Sequence, residues 1–209
     1  MGHPPKEALL SILAISHRFM MDSGVDWAIQ TLDSDMMLTP ANRLQLAFRY
    51  KIQKWILPAV SSLIDRQESR KRLRLITNND IEQMGWRTYI IISKGVETVQ
   101  AARTAVASTP PTVHHSPQCR LHHQESDCTQ AWENFWRSKV LQALLAADSL
   151  MPLVSLPPFL QRTSIKNFHD TCKTLTLFHF NSTEVLKVET SVKEQVSLKV
   201  WELYQGGLM

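Results

Sequence analysis

Cysteine and histidine residues recur in the C-terminal half of this 209-residue chain at spacings that suit a metal ion. A Cys-x-x-His-His stretch begins at residue 119, another cysteine follows it, and a His-x-x-Cys pair lies farther along the chain. Zinc is usually bound by four thiolate or imidazole ligands in a tetrahedron, often supplied as closely spaced pairs. The sequence therefore predicts a zinc site, with five candidate ligands: Cys119, His122, Cys128, His169 and Cys172.

A second interpretation of the same residues stays open. The histidines can belong to a solvated loop while the cysteines act as small core residues, and the long separation between the two pairs is not diagnostic. Three widely spaced cysteines do not form a disulfide framework and suit a reducing compartment. The sequence thus leaves two alternatives, no cofactor or one zinc ion.

Catalytic patterns are weak. Cys128 can be paired formally with His122 or His179, but no neighbouring residue would activate the thiol as a nucleophile. Glycine patterns that bind nucleotide phosphates or dinucleotides are missing from the sequence. We therefore expect that the chain is not an enzyme.

The formal charge of +4 excludes few classes of binding partner by itself. Part of this charge comes from a basic cluster over residues 66–74. Such a cluster is typical of a solvated helix end, with contact to phosphate or an acidic partner as the alternative. Nucleic-acid binders usually carry a denser basic stripe with interleaved aromatics, so nucleic acid is disfavoured as a partner. No apolar run approaches the ~20 residues of a membrane span, and His17 and Arg18 interrupt the N-terminal apolar stretch. We expect a cytoplasmic or nuclear protein without a membrane partner.

The elements that must position these residues are helical. Apolar residues recur three and four positions apart, and with only 6 glycines a turn-rich β fold is disfavoured. We predict an all-α fold, an irregular array of about seven to nine helices with a proline/histidine-rich loop in the middle. The predicted helices cover residues 6–21, 23–32, 40–50, 58–65, 78–84, 86–107, 128–150, 165–180 and 184–203.

Local signals refine this outline. Thr39 before Pro40 predicts a capped helix start, and residues 77–80 with Gly85 predict a short capped helix. The proline-containing stretch 153–162 is predicted to be an extended connector, and the six tryptophans are predicted to be core anchors. We divide the chain into a helical module (6–107), a Pro/His-rich linker or ordered loop (108–127) and a C-terminal helical region packing on the first (128–209).

One set of spaced residues in the first half of the chain forms a recognisable pattern: Met21-Asp22, Ala28-Ile29, Pro40, Arg43-Leu44, Tyr50 and Trp55-Ile56-Leu57-Pro58-Ala59. The later stretch CTQAWENFWRSKV adds a Cys-x-x-Ala-Trp-x-x-Phe-Trp helix. Together these residues resemble the helical region that follows the BTB/POZ domain in fungal BTB/POZ domain-containing proteins. The resemblance covers about residues 7–103 and, more loosely, residues 119–172.

The BTB/POZ domain itself does not precede these residues in the sequence, so its dimerisation and its docking to cullin scaffolds are not carried over. The resemblance implies a fragment or truncated relative of a BTB/POZ-type protein. It also implies a non-catalytic protein–protein interaction module that binds an unnamed partner through a helical surface. The alternative is a zinc-stabilised Cys/His protein with a nucleic-acid or regulatory association.

Overall fold

The computed structural model describes residues 4–34, 38–68, 76–122, 125–146 and 151–206. The predicted all-α class is confirmed, because the regular elements of these residues are helices and no strand occurs among them. None of the helices in these ranges is long and apolar enough to cross a bilayer. The described residues form eleven α-helices, more than the predicted seven to nine.

The helices follow one another with short 3₁₀ segments at Gln53–Trp55, Leu153–Ser155 and Glu184–Lys187. Most predicted helices are present, with ends shifted by a few residues. In chain order they are α1 (Lys6–Arg18), α2 (Asp22–Ser34), α3 (Pro40–Tyr50), α4 (Ile56–Glu68), α5 (Asn78–Met84), α6 (Trp86–Ser108), α7 (Pro117–His122), α8 (Glu125–Phe135, continuing to Leu145), α9 (Leu156–Arg162), α10 (Asp170–Asn181) and α11 (Val188–Gln205).

Two additional helices account for the difference in number. Helix α7 lies in the Pro/His-rich region, and α9 occupies the stretch predicted to be an extended connector. That second prediction was wrong because Pro157 and Pro158 fall in the first turn of α9, where backbone amides need no partner within the helix. Proline there starts a helix instead of preventing one.

The chain divides into two compact units. The first comprises Met1–Leu63, Ile76–Ile90 and Ser197–Met209, and in it α1 packs against α2 and α3 against α5. The predicted caps are confirmed: the Thr39 hydroxyl accepts from the Asn42 amide at 3.1 Å, and Thr77 and Asp80 form a capping box at α5. Gly85, at φ 84°, ends α5 as predicted.

The turn between α1 and α2, in the first unit, is tight. Met20 has φ 54°, and the amide of Met21 donates to the Ser16 carbonyl at 2.8 Å, the pattern of a Schellman motif with methionine at the usual glycine position. Helix α2 then approaches α1 so closely that a Cβ on Gly24 would lie 2.3 Å from the Ser16 hydroxyl oxygen. The hairpin of α1 and α2 therefore depends on the missing side chain of Gly24, and the turn residues lie at the tip of this hairpin.

The second unit comprises Ile64–Leu75 and Ile91–Val196, and an aromatic core lies at its centre. The Trp132 ring lies 5.3 Å from both the Trp136 and Phe168 rings. Both indole N–H groups donate to backbone carbonyls, Trp132 to Pro111 at 2.9 Å and Trp136 to Val106 at 3.1 Å. The irregular segment 109–116 is thereby held against α8.

Helix α8 contains a π-helical segment at Trp136–Val140 before it resumes over Leu141–Leu145. Trp136 and Val140 are buried, whereas the three residues between them are exposed. Of the six tryptophans predicted to be core anchors, Trp27 and Trp86 are exposed by 46% and 61%, so that prediction was wrong for these two.

Candidate metal centre

Four elements of the second unit bring three thiols and one imidazole together. Segment 109–116 supplies His115, α7 supplies Cys119, α8 supplies Cys128 and α10 supplies Cys172. The four ligand atoms all lie within 4.8 Å of one another. The three cysteines are completely buried and unbridged, and His115 is partly exposed.

The spacing of these atoms approaches that of a tetrahedral zinc site. Sulfur and imidazole ligands at about 2.3 and 2.0 Å from zinc lie about 3.5–3.8 Å from one another. The Sγ atoms of Cys119 and Cys128 are 3.4 Å apart, and the Cys119 Sγ lies 3.7 Å from His115 Nδ1. An ion at the centre would draw in the wider separations by about 1 Å and complete the tetrahedron.

Ser116 supports two of the cysteines. Its backbone amide donates to the Cys172 Sγ at 3.3 Å, and its hydroxyl oxygen lies 3.6 Å from the same sulfur. The hydroxyl also accepts from the Cys119 amide at 3.3 Å, near the start of α7. One residue next to His115 therefore fixes the approach of both α7 and α10 to the cluster.

Thr129 orients the imidazole. Its hydroxyl oxygen lies 3.3 Å from His115 Nε2, which leaves Nδ1 directed at the sulfurs. Histidine ligands of metals commonly donate their other ring N–H to an oxygen atom, which selects the tautomer that can bind the ion. The Thr129 contact has this arrangement.

The thiols differ in their affinity for protons. Burial raises the pKa of Cys119 to about 12, and hydrogen bonds with Cys128 and Cys172 add to the rise. Burial also raises the pKa of Cys172, but hydrogen bonds from Ser116, backbone and side chain, and from the other two thiols outweigh it and leave that pKa below its ordinary value. A metal ion would displace the remaining protons, since only thiolates bind it.

The structure brings together three of the five candidates predicted from sequence, Cys119, Cys128 and Cys172. His169 instead caps α10, where its Nδ1 accepts from the Thr171 amide at 3.3 Å. His122 is the last residue of α7, and its side chain lies outside the described part of the structure.

His115 is the ligand that sequence reasoning missed. Its signal is the spacing His115-x-x-x-Cys119, whereas the prediction used the Cys-x-x-His spacing of the following residues. Four histidines lie between residues 114 and 123, so spacing alone does not distinguish the one that faces the cysteines.

Most of the basic cluster, including Arg70, Lys71, Arg72 and Arg74, lies outside the described residues. Comparison with known proteins adds no family to these observations: no family model, no curated protein and no solved structure matches the chain.

Proposed function

We propose that this chain binds one zinc ion through His115, Cys119, Cys128 and Cys172, and that the ion has a structural role in a non-catalytic helical module. The observation that carries the proposal is the convergence of four ligand atoms within 4.8 Å, from four separate elements. Three thiolates and an imidazole are the ligand types that zinc binds most often in structural sites.

The ligand set argues for a structural ion. A catalytic zinc site keeps one position open for water or substrate, whereas here the protein supplies all four ligands. The complete burial of the three cysteines also restricts access of a substrate to the ion. The same argument supports the expectation that the chain is not an enzyme.

Zinc would anchor two parts of the second unit that contain little regular structure. Segment 109–116 is irregular and α7 has only 6 residues. One ion would tie both to the longer helices α8 and α10, and its binding free energy would contribute to folding.

Metal analysis with a matched pair of variants tests the proposal. Purified wild-type chain should contain one zinc per chain, and a strong chelator should lower its thermal unfolding temperature. His115→Gln should lower zinc affinity, whereas His114→Gln, a change at the neighbouring residue outside the ligand cluster, should retain it. Metal-free protein whose unfolding temperature does not respond to zinc or chelator would contradict the proposal.

A protein-interaction role is a second candidate. We propose that the α1–α2 turn of the first unit contacts an apolar surface of another protein. Phe19 is exposed by 65% and Met20 by 86%, and Ile15 and Met21 are also exposed beside them. Contiguous exposed apolar side chains are typical of interaction sites, and methionine adapts to varied partners. The resemblance to the helical region of fungal BTB/POZ proteins supports the same role.

Charge substitutions test this second role. A purified partner that binds the wild type with a measurable Kd should no longer bind the double variant Phe19→Glu/Met20→Glu. Leu198→Glu, a change at another exposed apolar residue of the first unit, should retain the partner. Equal binding by both variants would exclude the α1–α2 turn as the contact.

A further inference from the structure

One close pair of sulfurs in the cluster is a candidate for covalent chemistry. Cys119 and Cys128 approach to 3.4 Å between Sγ atoms, and both are free thiols. A bound zinc ion would hold both sulfurs as thiolates, and without it the two sulfurs still lie close enough for oxidation to join them.

We propose that Cys119 and Cys128 form a reversible disulfide when the site meets a peroxide, and that this bond expels the zinc ion. The expulsion rests on the proposed zinc function, whereas the bond itself does not. Two thiols lose two electrons and two protons, the peroxide O–O bond breaks, and one disulfide and two waters are formed when the oxidant is hydrogen peroxide. From zinc-bound thiolates, solvent supplies the two protons and the ion leaves.

The 3.4 Å separation and the contacts of Ser116 favour this pair over the two pairs that include Cys172. The Cys172 sulfur also hydrogen-bonds with the other two thiols, but it is engaged in addition by the amide and hydroxyl of Ser116, at 3.3 and 3.6 Å. The Cys119 and Cys128 sulfurs face each other from α7 and α8, at a distance that closes to a disulfide with a movement of about 1.4 Å.

The arrangement of the four ligands also indicates where an oxidant enters the site and why its reaction releases the ion. His115 is the partly exposed ligand of the four, so its side of the site is where a small oxidant enters. Once the bond has formed, only His115 and Cys172 remain to hold the ion. Two ligands do not retain zinc in a site built for four, so oxidation and metal release are coupled.

Peptide mapping of the full-length chain after peroxide treatment tests the proposal. Zinc per chain is measured first, and a chromogenic chelator then follows zinc release during the addition of hydrogen peroxide. We expect a Cys119–Cys128 linked peptide in proportion to the zinc released, and both changes should reverse with a dithiol reductant and added zinc. Sulfinic acid products, a linkage through Cys172, or release without a disulfide would overturn the proposal.

Two variants distinguish formation of the Cys119–Cys128 bond from binding of zinc. Cys172→Ser should still form the Cys119–Cys128 bond although it holds zinc weakly, whereas Cys128→Ser should form no such bond, and circular dichroism checks that both remain helical. A wild-type preparation without zinc that still forms the bond supports the modification site and counts against the zinc function. A zinc-loaded preparation that forms no such bond supports the zinc function and counts against the modification site.

Discussion

The Thr129 hydroxyl lies 3.3 Å from His115 Nε2, on the side of the ring opposite the atom that faces the cysteine sulfurs. In the tautomer that carries its proton on Nε2, the ring N–H donates to this hydroxyl and Nδ1 is free to bind a metal ion. The contact couples Thr129, which follows the candidate ligand Cys128 in α8, to the candidate ligand in segment 109–116, although the threonine itself is not one of the four.

Thr129→Val should weaken zinc binding, because it removes the hydroxyl that selects the ring tautomer while keeping the shape of the side chain. Loss of a supporting contact of this kind typically costs about 10–100-fold in metal affinity. Competition with a chromogenic chelator measures the change. Thr129→Ser, which keeps the hydroxyl, should restore most of the affinity, and equal affinity in valine and serine variants would contradict this role.

Ser116→Ala should make zinc binding more sensitive to acid. Hydrogen bonds from Ser116 lower the pKa of Cys172, so removal of the hydroxyl raises that pKa and protons compete with zinc at higher pH. The midpoint of zinc loss during an acid titration should therefore move to higher pH. Ser138→Ala is a suitable control, since the Ser138 hydroxyl donates to the Asn134 carbonyl of its own helix. A midpoint at or below that of the wild type would contradict the prediction.

Glu189→Gln should destabilise the second unit strongly. The Glu189 carboxylate pairs with Arg103, both side chains are nearly completely buried, and Glu189 also accepts from the Leu153 amide at 3.2 Å. Neutralising one partner leaves a buried charge uncompensated, at a cost of about 3–5 kcal/mol. Chemical denaturation measures the free energy of unfolding. In the exposed pair Lys187–Glu184, the change Glu184→Gln should cost less than about 1 kcal/mol.

Met20→Gly should stabilise the first unit. A non-glycine residue at positive φ costs about 1–2 kcal/mol, and glycine recovers part of that while it increases the entropy of the unfolded chain. We expect a net gain of about 0.5–1 kcal/mol in the free energy of unfolding. Met21→Gly should not stabilise, because Met21 is not among the residues at positive φ. A loss of stability in Met20→Gly would show that the exposed side chain contributes more than the turn geometry suggests.

Local sequence signals predicted most helices because their causes are local. The hydroxyl of Thr39, the capping box of Thr77 and Asp80 and the glycine at position 85 act within a few residues of themselves. Helix α9 was missed and predicted to be an extended connector, since two prolines favour an extended chain in most positions and a helix only in its first turn.

The cysteines of the candidate metal centre could be predicted from the sequence, whereas its histidine could not. Cys119, Cys128 and Cys172 were the only thiols available, so any thiolate site had to use them. The choice of His115 depends on the Trp132–Pro111 hydrogen bond and on the contact of Ser116 with Cys172, which join residues 21 and 56 positions apart. The buried ion pair of Arg103 and Glu189 also joins residues that are far apart in the sequence, by 86 positions.

The π-helical segment of α8 determines where that helix can lose a residue. Trp132, Trp136, Val140 and Leu144 are four residues apart and all buried, although in a regular α-helix each such step turns about 40° too far. The wider turn at Trp136–Val140 absorbs this excess and keeps the four on one side. Deletion of the exposed Ser138 would leave Trp136 and Val140 three residues apart in a regular α-helix, about 60° apart on the same side, and Leu144 would keep its place in the core. A deletion within Trp136–Val140 should therefore do less damage than a deletion in a regularly wound part of α8, which would turn the following residues by about 100°.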